Sequence, residues 1–162
     1  MEAQEIYQKL QSKFGESIIE FREAETLNPT VVINPGSVNE ICTFLHSDES
    51  MQFDSLMNLA GYDPGGEAEL EVIYHFYSTS LDHYITVKAL TSRKTPAVSS
   101  IAALYRTADW HEREAYDMFG IGFEGHPDLK RILLEEDWEG FPLRKDYVPA
   151  EFYRGMRIEK VK

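Results

Sequence analysis

Four residues of this chain, His111, Glu112, His126 and Asp128, have side chains that could serve a metal-dependent hydrolase. Imidazole and carboxylate both bind zinc, and a carboxylate can act as general base. Their spacing argues against that chemistry. His111 and Glu112 are adjacent and diverge around a helix, HEREA lacks the two-histidine spacing of HExxH, and no third histidine lies nearby. His75 and His83 are expected to share a sheet face near a turn, but without a carboxylate on that face they read as partly buried polar residues. Cys42 is the only cysteine, so the chain cannot build an ordinary iron-sulfur cluster or structural zinc site by itself. There is no GxGxxG after a strand and no phosphate-binding GxxxxGK loop.

The unusual chemistry is concentrated from Trp110 to Arg131, and the elements that position it can be read from the same stretch. Asp109 as N-cap, Glu112 returning the bond and Gly120 as terminator predict a short helix from about Trp110 to Phe119. Helical spacing puts Ala115, Met118 and Phe119 on one side and Trp110, Arg113, Glu114 and Asp117 on another. In the plainest reading this is a solvated face with an Arg113–Asp117 pair contributing about 0.2 to 0.5 kcal/mol. The sequel GIGFEGHP, with three glycines, a histidine and a proline, calls for more than a solvated helix. Its glycines permit a tightly folded backbone or close approach of another surface, and Pro127 restricts His126 to extended conformations.

Taken together, Glu112, Arg113, Glu114, Asp117, Met118, Phe119, His126, Lys130, Ile132 and Leu133 resemble a family signature. The family is the C subunit of proton-translocating NADH:quinone oxidoreductase, the 30 kDa subunit family of respiratory complex I. The likeness continues through WEGFPLRKDY, from Trp138 to Tyr147, so its motifs cover about the last third of the chain. The resemblance implies a cofactor-free member of the peripheral arm, catalytic only as part of the complex, with FMN, iron-sulfur clusters and quinone held by other subunits. It implies packing against three neighbours in a complex I-like assembly: the quinone-site subunit, the cluster-bearing subunit and the ferredoxin-like subunit. It also implies a peripheral place on the cytoplasmic side of the cell inner membrane. Carried over by position, Glu112, Arg113, Glu114, Asp117, His126, Lys130 and Arg131 shape the core and contact edge of the signature. Arg144, Lys145 and Asp146 are expected to pair across subunits, a task suited to directional arginine–carboxylate bonds. Membrane-bound hydrogenases and deazaflavin- or ferredoxin-dependent relatives of complex I carry equivalent scaffold subunits, so the motif leaves them open.

Composition sets independent bounds. A chain of 162 residues, 43% hydrophobic, can bury one real core. Its net charge of -12 disfavours binding to a nucleic-acid backbone or direct docking on anionic lipid. The charge is uneven: residues 1–129 hold 8 basic and 21 acidic side chains, residues 130–162 hold 8 and 7. No apolar run approaches the length of a membrane span, and the acidic start MEAQEIY is unlike a signal or transit peptide.

Along the chain, Ala3, Ile6, Tyr7, Leu10 and Phe14 predict a first helix ending at Gly15. Ser17–Phe21 and Thr30–Ile33 read as strands around a turn at Asn28 and Pro29. Ser37 and Glu40 suggest a capping box for a helix burying Val38, Ile41, Cys42 and Leu45. The run from Met51 to Ala60 fits strand or helix, and the resemblance favours strand. After the DPGG turn, Leu70, Val72, Tyr74 and Phe76, then Leu81, Ile85, Val87 and Ala89, predict an antiparallel hairpin. The order implies an α+β fold, a mostly antiparallel sheet with helices packed on one face. Residues 1–137 are expected to form that domain and 138–162 an extended partner-binding C-terminal arm. The arm's few aromatic residues bury too little to order it alone, so it stays loose or lies along another surface.

Overall fold

Apolar residues at three- and four-residue intervals shape α1 (Ala3–Phe14), whose Ile6 and Leu10 are fully buried and which ends at Gly15. The computed structural model describes residues 1–23 and 28–158, so the end of the expected arm, 159–162, lies outside the described residues. Strand β1 (Ile18–Arg22) pairs antiparallel with β2 (Thr30–Ile33), which leads into α2 (Val38–Ser47). The buried face of α2 is Val38, Ile41, Cys42 and Leu45, as the spacing predicts. Its expected capping box does not form: Ser37 ends the tight turn Pro35–Ser37 with φ -96° and ψ 2°, outside the extended backbone an N-cap adopts, and its hydroxyl donates to Ser17 Oγ (3.0 Å).

Strands β3 (Ser55–Tyr62), β4 (Leu70–Ser78) and β5 (His83–Thr91) form an antiparallel meander. The sheet order is β1-β2-β5-β4-β3, with β2 parallel to β5 and every other pairing antiparallel. A β-bulge at Met57 explains why β3 resembles a helix in sequence. The extra residue sets the buried Leu56 and Leu59 three apart and turns Met57 outward. Strand β4 alternates as expected, with Leu70, Val72, Tyr74, Phe76 and Ser78 all buried. Leu81 leaves the expected pattern because it sits in the turn and is exposed. His75 pairs across to Thr86, whereas His83 pairs with Ser78, so the two histidines occupy opposite faces of the hairpin. His75 Nδ1 lies 3.1 Å from Thr86 Oγ1, and His83 Nε2 lies 2.6 Å from the Met51 carbonyl.

Helices α1, α2 and α3 (Arg106–Phe119) share one hydrophobic cluster with the inward residues of the sheet. Two short parallel strands, β6 (Ala97–Ser99) and β7 (Gly122–Glu124), bracket α3. A small antiparallel hairpin, β8 (Phe152–Tyr153) and β9 (Met156–Arg157), lies in the C-terminal segment. Gly61 marks where α3 meets the sheet: an added Cβ there lies 2.6 Å from Phe119 Cδ2, inside the ring's own volume. Gly61→Ala is therefore expected to destabilise the fold by about 1 to 3 kcal/mol through overpacking, read from urea denaturation midpoints. An unchanged midpoint would show that Phe119 can yield without cost.

Candidate functional site

Helix α3 begins four residues before the sequence suggests. Tyr105 stands at its N-cap with extended backbone, and Asp109 falls in the first turn. The start is set by packing: the Tyr105 hydroxyl donates to the Phe53 carbonyl (2.6 Å), and Ala108 is fully buried. The end is set by Gly120, whose φ of 70° is left-handed. Phe141 packs directly against it, leaving no room for a Cβ.

Glu112 does not return a bond to Asp109. It is fully buried, and its two oxygens accept from the Ser100 hydroxyl (2.6 Å) and the Ile101 N–H (2.8 Å). The β6–β7 pairing makes this possible, because the Ser100 N–H donates to the Glu124 carbonyl and fixes that loop beside the helix. His126, its side chain also buried, sits with Nε2 4.0 Å from Glu112 Oε2 and 3.3 Å from Asp109 Oδ1. Its Nδ1 accepts from the Asp128 N–H (3.0 Å), so the ring proton is on Nε2, directed at the Asp109 carbonyl (3.2 Å). Burial raises the Glu112 carboxyl above the ordinary glutamate range, and the Ser100 and Ile101 donors offset this only in part.

Asp117 is fully buried too, so the expected solvated face is instead gripped by the chain. Arg131 donates to Oδ1 (2.8 Å), and the N–H groups of Ile132, Leu133 and Leu134 converge on Oδ2 at 2.7 to 3.0 Å. Burial pushes this carboxyl upward, but the three amides and the guanidinium outweigh it and hold it below the usual range. The expected Arg113–Asp117 pair is therefore absent. Arg113 donates to the carbonyls of Lys130 and Arg131, both at 3.3 Å, and its guanidinium lies 5.1 Å from the centre of the exposed Trp110 ring. Glu114 is exposed, and Lys130 pairs at the surface with Asp128 (2.7 Å).

The same economy ties down the start of the C-terminal segment. Arg131 also donates to the Trp138 carbonyl (3.1 Å), and Arg144 donates to the carbonyl of Phe119, the last residue of α3. Arg144, expected to pair across subunits, thus answers an orphan carbonyl of its own helix terminus. The Lys145 N–H donates to Asp63 Oδ2 (2.8 Å) and the Lys145 side chain stays exposed, while the exposed Asp146 carboxylate, expected to pair across subunits, lies 3.6 Å from Arg93 of its own chain. Sequence reasoning misses Asp63 as a site residue. Its side chain is fully buried, paired with Arg93 and bonded to the Gly65 N–H (2.7 Å), and these donors hold its carboxyl well below the usual range. The DPGG turn signals the Gly65 bond, but nothing in sequence announces a partner thirty residues away.

The hydrolase set does not assemble. His111 Nδ1 is engaged with the Leu59 carbonyl (3.0 Å) on β3, Glu112 is saturated inside, and the Asp128 carboxylate faces outward to Lys130. Among the described residues no three His, Cys, Asp or Glu side chains gather where a metal ion could be held. Cys42 is buried in the core, where desolvation pushes its thiol far up. What the geometry does supply is register: each buried carboxylate fixes a backbone segment remote in sequence.

The family model described as "Respiratory-chain NADH dehydrogenase, 30 Kd subunit" matches residues 31–153. The chain belongs to this family. It is 41% identical over 153 residues to the NADH-quinone oxidoreductase C subunit of Chloroherpeton thalassium, covering 94% of this chain and 63% of that relative's length. With the C subunit of Chlorobium phaeobacteroides it shares 40% identity, over 94% of this chain and 92% of the relative. Among solved structures, a trypsin-resistant fragment of Nqo5 superposes with a TM-score of 0.64 at 25% identity, covering 80% of this chain and all of the fragment. A chain of an archaeal membrane-bound sulfane sulfur reductase shares the fold, with a TM-score of 0.72 at 20% identity over 90% of this chain. In this member of the 30 kDa subunit family, the signature carboxylates Glu112 and Asp117 are internal fasteners, while Glu114 faces solvent.

Two consequences can be measured. The folded Glu112 carboxyl titrates above its unfolded value, so its contribution to stability falls as pH rises from about 4.3 through the raised value. Glu112→Gln is expected to flatten that slope in denaturation midpoints taken between about pH 4.5 and 8, and an unaltered slope would assign it to another group. Asp117 has the opposite sign: its contribution is present above about pH 3.9 and is lost as pH falls through its lowered value. At neutral pH, Asp117→Ala is expected to cost about 3 to 5 kcal/mol. A loss under about 1 kcal/mol would show that the loop holds without it.

Proposed function

We propose that this chain is a cofactor-free structural member of the peripheral arm of a proton-translocating NADH:quinone oxidoreductase. In this reading it supports electron transfer to quinone by holding the quinone-site and cluster-bearing subunits together, with the ferredoxin-like subunit adjoining. Flavin, iron-sulfur clusters and quinone belong to those other chains. In this reading the chain sits peripherally at the cytoplasmic side of the cell inner membrane. Among the described residues no helix is long and apolar enough to cross a membrane.

The observation that carries this reading is the family match over 31–153, joined to a signature whose buried charges are consumed within the chain. The surface left over is adhesive in character. Leu143, Val148, Phe152 and Met156 are exposed along the C-terminal segment, beside the Lys145 and Asp146 side chains. Exposed apolar and aromatic side chains in line with charged ones are the makings of an interface. Residues 138–162 serve in this reading as the partner-binding arm, anchored to the body near residues 144–145, with Tyr153 and Arg154 folded back onto Asp137.

A second reading shares the scaffold. The fold likeness to a chain of the archaeal sulfane sulfur reductase favours equivalent subunits in membrane-bound hydrogenases and deazaflavin- or ferredoxin-dependent complexes. The proteins that co-purify in mild detergent discriminate, because nickel-binding cysteines in the large partner mark a hydrogenase.

The isolated protein is expected to show no flavin or iron-sulfur absorption after reconstitution, and a cofactor spectrum would contradict the assignment. Removal of residues 149–162 spares the Arg144 and Lys145 anchors. It should leave the denaturation midpoint nearly unchanged while abolishing co-purification with the partner subunits. An undiminished yield of complex would show that the arm does not dock.

A further inference from the structure

The C-terminal segment folds back on itself around a half-open pocket of about 290 Å³, lined by Trp138, Glu139, Tyr147, Phe152, Tyr153 and Arg154 among others. Its size is at the lower limit for small-molecule pockets and suits a single long side chain better than a cofactor. Aromatic rings form its wall: Trp138 and Tyr153 lie 5.2 Å apart, centre to centre, at an angle of 51°. Two carboxylates, Asp137 and Glu139, also line it.

One guanidinium is already bound at this edge. Arg154 forks onto both oxygens of Asp137 at 3.0 Å and lies 5.2 Å from the centre of the Tyr153 ring, while the Tyr153 hydroxyl donates to the same carboxylate (2.9 Å). Asp137 is thereby saturated. Glu139, on the cavity's own lining, has no cationic partner among the described residues. The Trp138 indole N–H is shielded from solvent and has no acceptor among them. The walls thus combine ring faces that attract a cation with an unneutralised carboxylate.

We propose that this cavity receives an arginine side chain from a partner polypeptide. The incoming guanidinium stacks on the aromatic wall and pairs with Glu139, repeating on the open side what Arg154 does at the edge. Arginine fits better than lysine because its planar fork both stacks on rings and meets a carboxylate with two donors. The proposal rests on the reading that the arm lies along other subunits, and it names the chemistry of that contact.

The chain's two tryptophans make the test direct. In the full-length ¹⁵N-labelled protein, Trp138→Phe assigns the two indole N–H resonances, and the Trp110 signal serves as control. Titration with a blocked Gly-Gly-Arg-Gly-Gly peptide is expected to shift the Trp138 resonance saturably, at millimolar concentration, and to leave Trp110 in place. The same peptide with citrulline, which keeps the shape and removes the charge, should bind about tenfold more weakly. Glu139→Gln should weaken the arginine peptide about two- to fivefold, as expected for a solvent-edge ion pair. No saturable shift, or equal shifts with both peptides, would overturn the proposal. So would movement of the Trp138 signal with protein concentration alone, which would give the cavity to a second copy of this chain. If these fail while removal of 149–162 still abolishes assembly, the arginine site falls and the scaffold reading stands.

Discussion

Two carboxylates buried on one helix govern how the rest of this chain can be arranged. An ionised group removed from water is tolerated only where donors replace the lost hydration, and α3 carries Glu112 and Asp117 with no exposed surface on either. Five positions separate them, about 140° around a helix, so their donors must arrive from two directions. The loop after β6 supplies one set through Ser100 and Ile101, and residues 131–134 supply the other. Helix α3 is thereby clamped between segments that precede and follow it.

The remaining charged contacts extend this clamp outward. Arg131 joins Asp117 to the carbonyl of Trp138, Arg144 closes the end of α3, and Asp63 with Arg93 fixes the backbone at Lys145. Each is an arginine fork or backbone amide meeting an acceptor that would otherwise be buried without a partner. The first part of the C-terminal segment is thus held to the body without much apolar burial of its own. Such an arrangement suits a scaffold, whose task is to keep distant surfaces in fixed relation. The buried carboxylates Asp63, Glu112 and Asp117 are all committed to holding the fold.

Sequence and structure agree most closely where hydrophobic periodicity is strong. The first two helices, the β4–β5 hairpin, the α+β class and the left-handed stop at Gly120 follow from spacing and from glycine's backbone freedom. They diverge where a tertiary partner overrides a local preference. Ser37 turns to Ser17 and gives up its cap, Met57 bulges out of β3 in a pattern that imitates a helix, and α3 starts early because Tyr105 reaches Phe53. His75 and His83 part to opposite faces because the hairpin register pairs them with different residues.

By itself the sequence determined the family, through an ordered set of charged, glycine and aromatic residues, and, through local spacing, the three helices and strands β1, β2, β4 and β5, but not the short strands β6 to β9. Only the tertiary structure decided what those charged residues do. Asp117 reads as part of a solvated face and Glu112 as a cap partner, while the resemblance gives Arg131 a contact edge and Arg144 a partner across subunits; sequence periodicity reports only which residues share a side of a helix. It does not report which remote amides and guanidinium groups will be brought there. Burial of a charge is settled by donors contributed from loops far along the chain, and those positions exist only once the sheet, the β6–β7 pair and α3 have come together.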